Sequence, residues 1–185
     1  MNDASRAASM ACDLMALAAR TAPKGRGADS VVVRIVSGVE LEDLADAVRK
    51  AAKREEDGFF ERDADNIGAS EACLLIGVRG CEPVGVDCGG CGYPDCETMR
   101  RAADSRGTTT TPYGSPNCVI KMMDLGIAIG SAVKTASLLN LDNRVMYTVG
   151  VGGLALGWLP GCTAACGIPV AASGKNPFFD RQGRR

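Results

Sequence analysis

The stretch ACLLIGV, from Ala72 to Val78, is an uninterrupted apolar run of strand length. A strand that is apolar on both faces lies inside a sheet covered on both sides, so we expect this segment in the middle of a sheet. Working outward, the β-branched residues 30–36 predict a second strand, and residues 168–172 predict a last one. Residues 59–63 are interpreted as a short edge strand.

Helical patterns separate these strands. Apolar residues recur at helical spacing over residues 4–20 and 40–54, and residues 118–139 form a long helix that is apolar on most faces. In the first helix the repeat is marked by Met10, Leu14, Leu17 and Ala18. Residues 141–158 predict a further helix, weakened by its glycines. Because no linker separates domains, we predict one α+β layered domain over residues 1–185.

The composition narrows the classes of function. A chain of 185 residues with 46% hydrophobic content suits one domain. A net charge of −1 and 4% aromatic residues argue against binding to nucleic acid or to an anionic membrane. The sequence contains no histidine, which excludes a Ser-His-Asp triad, a Cys-His pair and every histidine-ligated metal site.

The nine cysteines indicate a metal site rather than a disulfide framework. Their number is odd, which does not suit a set of disulfide pairs. The N-terminus carries no signal in which basic residues precede an apolar run. No apolar stretch reaches the roughly 20 residues of a membrane span. We therefore expect a cytoplasmic protein in a reducing compartment, where clustered cysteines usually bind metal.

The strongest motif is DCGGCGYPDC, which lies within a cysteine- and glycine-rich loop spanning residues 80–118. It places Cys88, Cys91 and Cys96 in a C-x2-C-x4-C spacing, and its glycines let the backbone wrap closely around bound sulfur and iron. Pro94 opens a helix, so the positive helix end favours a thiolate at Cys96. A 4Fe–4S cluster is preferred over structural zinc, because zinc ribbons usually show two CxxC pairs.

The fourth ligand is a choice between two cysteines. Cys118 arrives after a long loop at the start of a helix, whereas Cys81 would have to double back within six intervening residues. We predict Cys118 as the ligand, with Cys81 as its rival. Cys12 and Cys73 lie on apolar faces and are interpreted as core thiols, and Cys162 and Cys166 as free or packed cysteines.

The chain resembles a prokaryotic family of ferredoxin-domain-containing proteins of unknown function. The matching stretches are AARTAPKGRGAD (18–29), CGGCGYPDC (88–96), CVIKMMDLGIAIGSAVKTAS (118–137), DNRVMYTVG (142–150) and GIPVAASGKNPFFDR (167–181). A looser resemblance is to flavin-dependent nitroreductases, whose first helix also ends in an Ala-Pro turn. This resemblance implies a nitroreductase-like α+β sandwich, a homodimer and FMN. The arginine-rich N-terminal phosphate motif of nitroreductases is missing here, with only Arg6 in that region, and Lys24 and a glycine-rich run replace the serine and asparagine usual after the Ala-Pro turn.

Basic residues at the two ends of the chain are candidates for binding a phosphate such as that of FMN. Arg20, Lys24 and Arg26 flank a glycine loop, and Lys175 and Arg181 lie in the tail. Within the long helix, Lys121 and Asp124 are three residues apart, and we expect them to form a surface pair.

Three functions are compatible with the motif. The leading prediction is a 4Fe–4S redox protein that passes electrons to an unknown partner protein, with FMN as a second cofactor of an oxidoreductase. The alternatives are a non-redox enzyme that uses an open iron as a Lewis acid, and a structural zinc protein. We expect a homodimer built on the helices within residues 124–158, where Gly150, Gly152, Gly153 and Gly157 permit close contact.

Overall fold

Four strands form one antiparallel sheet in the computed structural model, which describes residues 3–52, 58–106 and 111–179. They are β1 (Val31–Ser37), β2 (Ala72–Val78), β3 (Asp142–Asn143) and β4 (Ala164–Ala171). Their order across the sheet is β1-β2-β4-β3. The strand β2 is thus central, and all of its residues are buried, as the apolar run ACLLIGV predicted.

Six α-helices lie within the described ranges. They are α1 (Asp3–Thr21), α2 (Glu40–Ala51), α3 (Gly58–Gly68), α4 (Cys96–Asp104), α5 (Val119–Leu138) and α6 (Tyr147–Ala155). The helices α1 and α5 pack together on one face of the sheet, and α2, α3 and α6 cover the other. Because side chains alternate along β2, Leu74 and Ile76 enter the first core, while Cys73 and Leu75 enter the second. The predicted α+β layered sandwich is confirmed.

The predicted edge strand at residues 59–63 is wrong, because these residues belong to α3. Phe60, Ala64 and Ile67 recur at helical spacing and bury themselves in the core shared with α2. Five residues are too few to separate this pattern from strand alternation, and the helical repeat extends beyond them. The predicted end of the second helix at Arg54 lies outside the described residues.

The predicted helix over residues 141–158 is also wrong in its first part. The helix α5 ends at Leu138, Asn140 then has a φ of 52°, and Asp142 and Asn143 pair with the last two residues of β4. Only Tyr147–Ala155 is helical. The strand β4 begins at Ala164, four residues earlier than predicted, since its pairing with β2 continues to Val78.

The helix α1 buries a different face from the one its large apolar residues mark. Its core residues are mostly small, with Ala8, Ala11, Cys12 and Ala19 around Met15. The residues Met10, Leu14 and Leu17 are exposed. Small side chains permit the close packing of α1 on α5, and the large ones are left on the outside. No helix in the described ranges combines the length and hydropathy needed to cross a membrane.

Candidate iron–sulfur site

The first part of the segment 80–118, which we call the cysteine loop, connects the end of β2 to the start of α4. Its backbone reverses at Gly85, Gly89 and Gly92, whose φ values are 80°, 68° and 86°. The N–H of Gly92 donates to the carbonyl of Gly89 at 3.0 Å and closes a turn around Cys91. Left-handed backbone of this kind favours glycine, which explains why glycines alternate with the cysteines here.

Two carboxylates fix the third cysteine of the loop. The backbone N–H of Cys96, the first residue of α4, donates to Asp87 Oδ1 at 2.8 Å. The side chain of Asp95 caps the helix by accepting from the N–H of Thr98 at 2.6 Å, and this hydrogen bond lowers the pKa of the Asp95 carboxyl. The structure therefore confirms that Cys96 lies in the first turn of a helix.

Cys118 reaches the loop from the start of the long helix. It is the N-cap residue of α5, it is buried, and its N–H donates to the carbonyl of Gly80 at 2.8 Å. Its side chain belongs to a small apolar cluster that we call the thiol pocket. The thiol pocket consists of buried Val84, Met99 and Cys118 with partly buried Cys91, Tyr93 and Ile120 packed against it. Two of the four predicted ligands, Cys91 and Cys118, thus belong to the same apolar cluster.

Cys88 lies at the exposed end of the same site. A Cβ atom added to Gly90 would stand 2.6 Å from Val119 Cγ1 and 3.6 Å from Cys88 Sγ. The loop backbone at Gly90 therefore packs directly against Val119, the first residue of α5, and the Cys88 sulfur lies beside this contact. In the ranges that the structure describes, no group of three or more cysteine and acidic side chains is placed to hold a single metal ion.

The surroundings of the four thiols suit an anionic cluster. Two helices, α4 and α5, begin at Cys96 and directly after Cys118, so both direct their positive ends toward this region. The thiol pocket supplies an apolar wall, which limits access of water to bound sulfur and iron. Cysteine thiols, glycine backbone and helix ends are thus present in this region, and these are the kinds of group that hold a cluster whose irons take one thiolate each.

The rival ligand Cys81 has a different environment. Its thiol contacts the carbonyl oxygen of Pro116 at 3.4 Å, in the segment before Cys118. Burial raises the pKa of the Cys81 thiol, and the nearby charge of Arg106 opposes this rise. Cys81 is not a member of the thiol pocket. Cys12 and Cys73 are fully buried in the core, as predicted, and burial raises the pKa of both.

The three basic residues near the N-terminal glycine loop are used within the fold. Arg20 forms a 3.8 Å ion pair with Asp29, and the Lys24 ammonium donates to the carbonyl oxygens of Arg20 and Ala22. The guanidinium of Arg26 donates to the carbonyl oxygen of Gly85 at 3.0 Å. Arg26 thus contacts the cysteine loop, and both Lys24 and Arg26 already donate to backbone carbonyls.

The basic residues of the tail lie elsewhere. The register pairs Val31 with Val78 and Val78 with Ala164 at one end of the sheet, next to Arg26. Lys175 follows the other end of β4, where Asn176 donates to Asp142 at 2.8 Å. Arg26 and Lys175 thus lie toward opposite ends of the sheet, and their joint binding of one phosphate stays a prediction. Arg181 lies outside the described residues.

A buried ion pair in α5 corrects one sequence prediction. Lys121 Nζ lies 3.8 Å from Asp124 Oδ2, and each side chain is 3% exposed, so this is not a surface pair. Lys121 also donates to the carbonyl of Ala28 at 2.8 Å, and Asp124 Oδ1 accepts from the N–H of Gly25 at 2.9 Å. The signal that could have revealed it is a pair of charges three residues apart within an otherwise apolar helix.

Comparison with known proteins agrees with this architecture. The profile of a family described as uncharacterized protein containing a ferredoxin domain (DUF2148) matches residues 114–181. That range contains Cys118 but not Cys88, Cys91 or Cys96. An uncharacterized protein of Archaeoglobus fulgidus is 40% identical over 168 residues, which cover 91% of this chain and 88% of the relative.

Solved structures with a similar fold are nitroreductases and related proteins. A nitroreductase with bound FMN from Desulfitobacterium hafniense has a TM-score of 0.57 and 15% identity, over 90% of this chain and 78% of its own. The hypothetical oxidoreductase YcnD from Bacillus subtilis has a TM-score of 0.55 and 15% identity, over 91% of this chain and 59% of its own. The fold is thus nitroreductase-like.

Proposed function

We propose that this chain, which belongs to the family of uncharacterized proteins containing a ferredoxin domain, binds a 4Fe–4S cluster and transfers electrons through it. The observation that carries the proposal is the meeting of Cys91 and Cys118 in the thiol pocket. These residues are 27 positions apart in the sequence and come from different elements. The family description, with its ferredoxin domain, supports the same chemistry.

Each part of the site has a separate role in this proposal. Cys88, Cys91 and Cys96 supply three thiolates from one loop, and Cys118 supplies the fourth from α5. The helix ends stabilise the negative charge of the thiolates. When bound, the cluster accepts and releases single electrons. Four cysteine ligands favour electron transfer over Lewis-acid chemistry, which requires an open iron.

The choice of fourth ligand is tested by two serine variants of anaerobically purified protein. Cys118→Ser should make the cluster labile or convert it to a three-iron form, and should shift its reduction potential. Cys81→Ser, the matched control at the rival position, should leave iron content and potential close to wild type. A Cys118→Ser protein with an unchanged spectrum and potential would move the open-iron enzyme to first place. A colourless wild-type protein with one bound zinc would favour structural zinc instead.

FMN is a second candidate cofactor, favoured by the nitroreductase-like fold. Within one chain the Arg26 region and Lys175 lie at opposite ends of the sheet, so a shared phosphate site would need two subunits. We expect saturable FMN binding only by an assembled dimer. Titration of the protein with FMN, followed by flavin fluorescence and sedimentation, checks this expectation, and absence of saturable binding would remove it.

The assembly we propose is a homodimer, built on the α1 and α5 face of the sheet. Seven large apolar residues on or next to these two helices are exposed: Met10, Leu14, Leu17, Met123, Ile127, Leu138 and Leu139. On the same side of α5, Gly126 and Gly130 have open space where a side chain would be. An exposed apolar surface of this extent is unusual for a monomer, and the open glycines permit close approach of a second helix.

A further inference from the structure

The glycine turn Gly25–Gly27 joins both elements that carry the predicted thiol ligands. The N–H of Gly25 donates to Asp124 Oδ1, in the second turn of α5 after Cys118. Next to it, Arg26 Nη1 donates to the carbonyl oxygens of Gly85 and Val84 at 3.0 and 3.4 Å. The turn therefore bridges α5 and the first residues of the cysteine loop.

The turn is also pressed against the wall of the thiol pocket. A Cβ atom at Gly25 would stand 2.6 Å from Ile120 Cγ2 and 3.6 Å from Val84 Cγ2, both of them thiol-pocket residues. Arg26 has a φ of 54°, a conformation that costs energy for a residue other than glycine. The Arg26 backbone adopts this conformation at the point where its side chain donates to the carbonyl oxygens of Val84 and Gly85.

Behind the turn lies the buried pair Lys121–Asp124. The Oδ2 atom of Asp124 has no hydrogen-bond partner in the described ranges, although the residue is almost completely buried. Two buried charges with an unsatisfied oxygen are costly, and apolar residues of similar volume would often be as stable. The pair is therefore poorly explained by fold stability alone. Buried charges are screened little, so their field reaches the adjoining thiol pocket.

We propose that Arg26, Lys121 and Asp124 are positioning residues that hold the cysteine loop against the start of α5 and set the reduction potential of the cluster. The inference rests on the proposed function, because a reduction potential requires a bound cluster. It gives Arg26 a structural role, because its guanidinium donates to the carbonyls of Val84 and Gly85. Whether Arg26 holds the cysteine loop in place can be measured separately, in metal-free protein.

The charges give opposite expectations for the potential. Reduction adds an electron, so a nearby positive charge stabilises the reduced state and a nearby negative charge destabilises it. Arg26→Gln removes a positive charge and should lower the reduction potential. Asp124→Asn keeps an acceptor for the N–H of Gly25 but leaves Lys121 without its anion, and should raise the potential. General loosening of the fold would not produce shifts of opposite sign.

The first measurement uses metal-free, reduced protein and the rate at which iodoacetamide alkylates Cys118. Arg26→Gln should increase this rate several-fold, because the loop segment that covers the buried thiol loses its two hydrogen bonds. Arg26→Lys, with fewer donors, should give a smaller increase. The matched control is Arg6→Gln, which removes the same charge from the exposed start of α1, where Arg6 pairs only locally with Asp3. In this control, Cys118 should be alkylated at the wild-type rate.

The second measurement is a redox titration of the same variants after anaerobic loading with iron and sulfide. We expect a lower potential for Arg26→Gln, a higher one for Asp124→Asn, and little change for Arg26→Lys and Arg6→Gln. Equal alkylation rates and potentials for Arg26→Gln and Arg6→Gln would overturn the inference. If wild-type protein takes up no cluster, the proposed function fails, and the alkylation rates still decide whether Arg26 holds the loop.

Discussion

At the scale of single residues, the buried pair Lys121–Asp124 shows where sequence reasoning reaches its limit. A lysine and an aspartate three residues apart are visible in the sequence, but the surrounding helix is apolar on most sides. Helical phase alone cannot say which side of such a helix is covered. The structure covers this side with the residues around Gly25 and Ala28, and the two charges are buried with it.

Breaking this pair should destabilise the metal-free protein. Lys121→Met leaves the Asp124 carboxylate buried without a cation, at an expected cost of about 3–5 kcal/mol in the free energy of unfolding. The double variant Lys121→Met/Asp124→Asn removes both charges and should cost less than the sum of the single changes. Urea denaturation of all three variants checks this, with exposed Lys50→Met as a control expected within about 0.5 kcal/mol of wild type. Additive costs would contradict the coupling.

Buried thiols give the protein a predictable dependence on pH. Burial, with a smaller contribution from Asp13, raises the pKa of Cys12 from 9.0 to about 12. Above pH 9.0 the unfolded thiol ionises while the folded one does not, so stability is fully present below this pH and is lost as the pH rises toward 12. The free energy of unfolding should therefore fall in this window. Cys12→Ala should reduce the slope by up to roughly 1.4 kcal/mol per pH unit, and an unchanged slope would refute the assignment.

At the scale of secondary-structure elements, α6 changes the interpretation of its glycines. The sequence led us to expect Gly150, Gly152, Gly153 and Gly157 at contacts between subunits. The first three instead pack within the chain, where added side chains would collide with the backbone of Ala165 and the side chains of Val48 and Leu75, whereas Gly157 faces open space. A glycine-rich apolar helix indicates close packing, but its composition does not identify the neighbouring element.

This packing predicts a large effect of one methyl group. Gly150→Ala would drive a Cβ atom into the carbonyl of Ala165 in β4, and we expect a loss of about 1–3 kcal/mol of stability. Gly58→Ala, at the start of α3, meets open space and should be neutral or stabilising by up to about 1 kcal/mol. Thermal unfolding of the two variants measures the difference. Equal unfolding temperatures would contradict the close contact of α6 with β4.

At the scale of the whole molecule, the proposed dimer is tested by charges on the α1 and α5 face. Leu14→Asp and Ile127→Asp place a carboxylate on the exposed apolar surface and should shift the protein to monomers in sedimentation velocity experiments. The control is Val39→Asp, at an apolar residue before α2 that is more exposed than Leu14 and Ile127 and lies on a different part of the surface. A wild-type protein that is monomeric at all practical concentrations would contradict the proposal.

The sheet and the site differ in how far sequence predicts them. The run at β2 is long, apolar and buried on both faces, so its central place in the sheet could be predicted from local pattern. The cysteine loop was also recognisable from its spacing. The common apolar cluster of Cys91 and Cys118 was not, because it depends on the chain returning to the end of β2, where the N–H of Cys118 donates to the carbonyl of Gly80, two residues after the strand.

The cluster itself is tested most directly by metal and sulfide analysis of anaerobically purified wild-type protein. Four thiolate ligands and a site fitted to an anionic cluster predict close to four irons and four acid-labile sulfides per chain, in a brown protein with negligible zinc. One tightly bound zinc per chain, without sulfide or colour, would contradict the binding of an iron–sulfur cluster by Cys88, Cys91, Cys96 and Cys118.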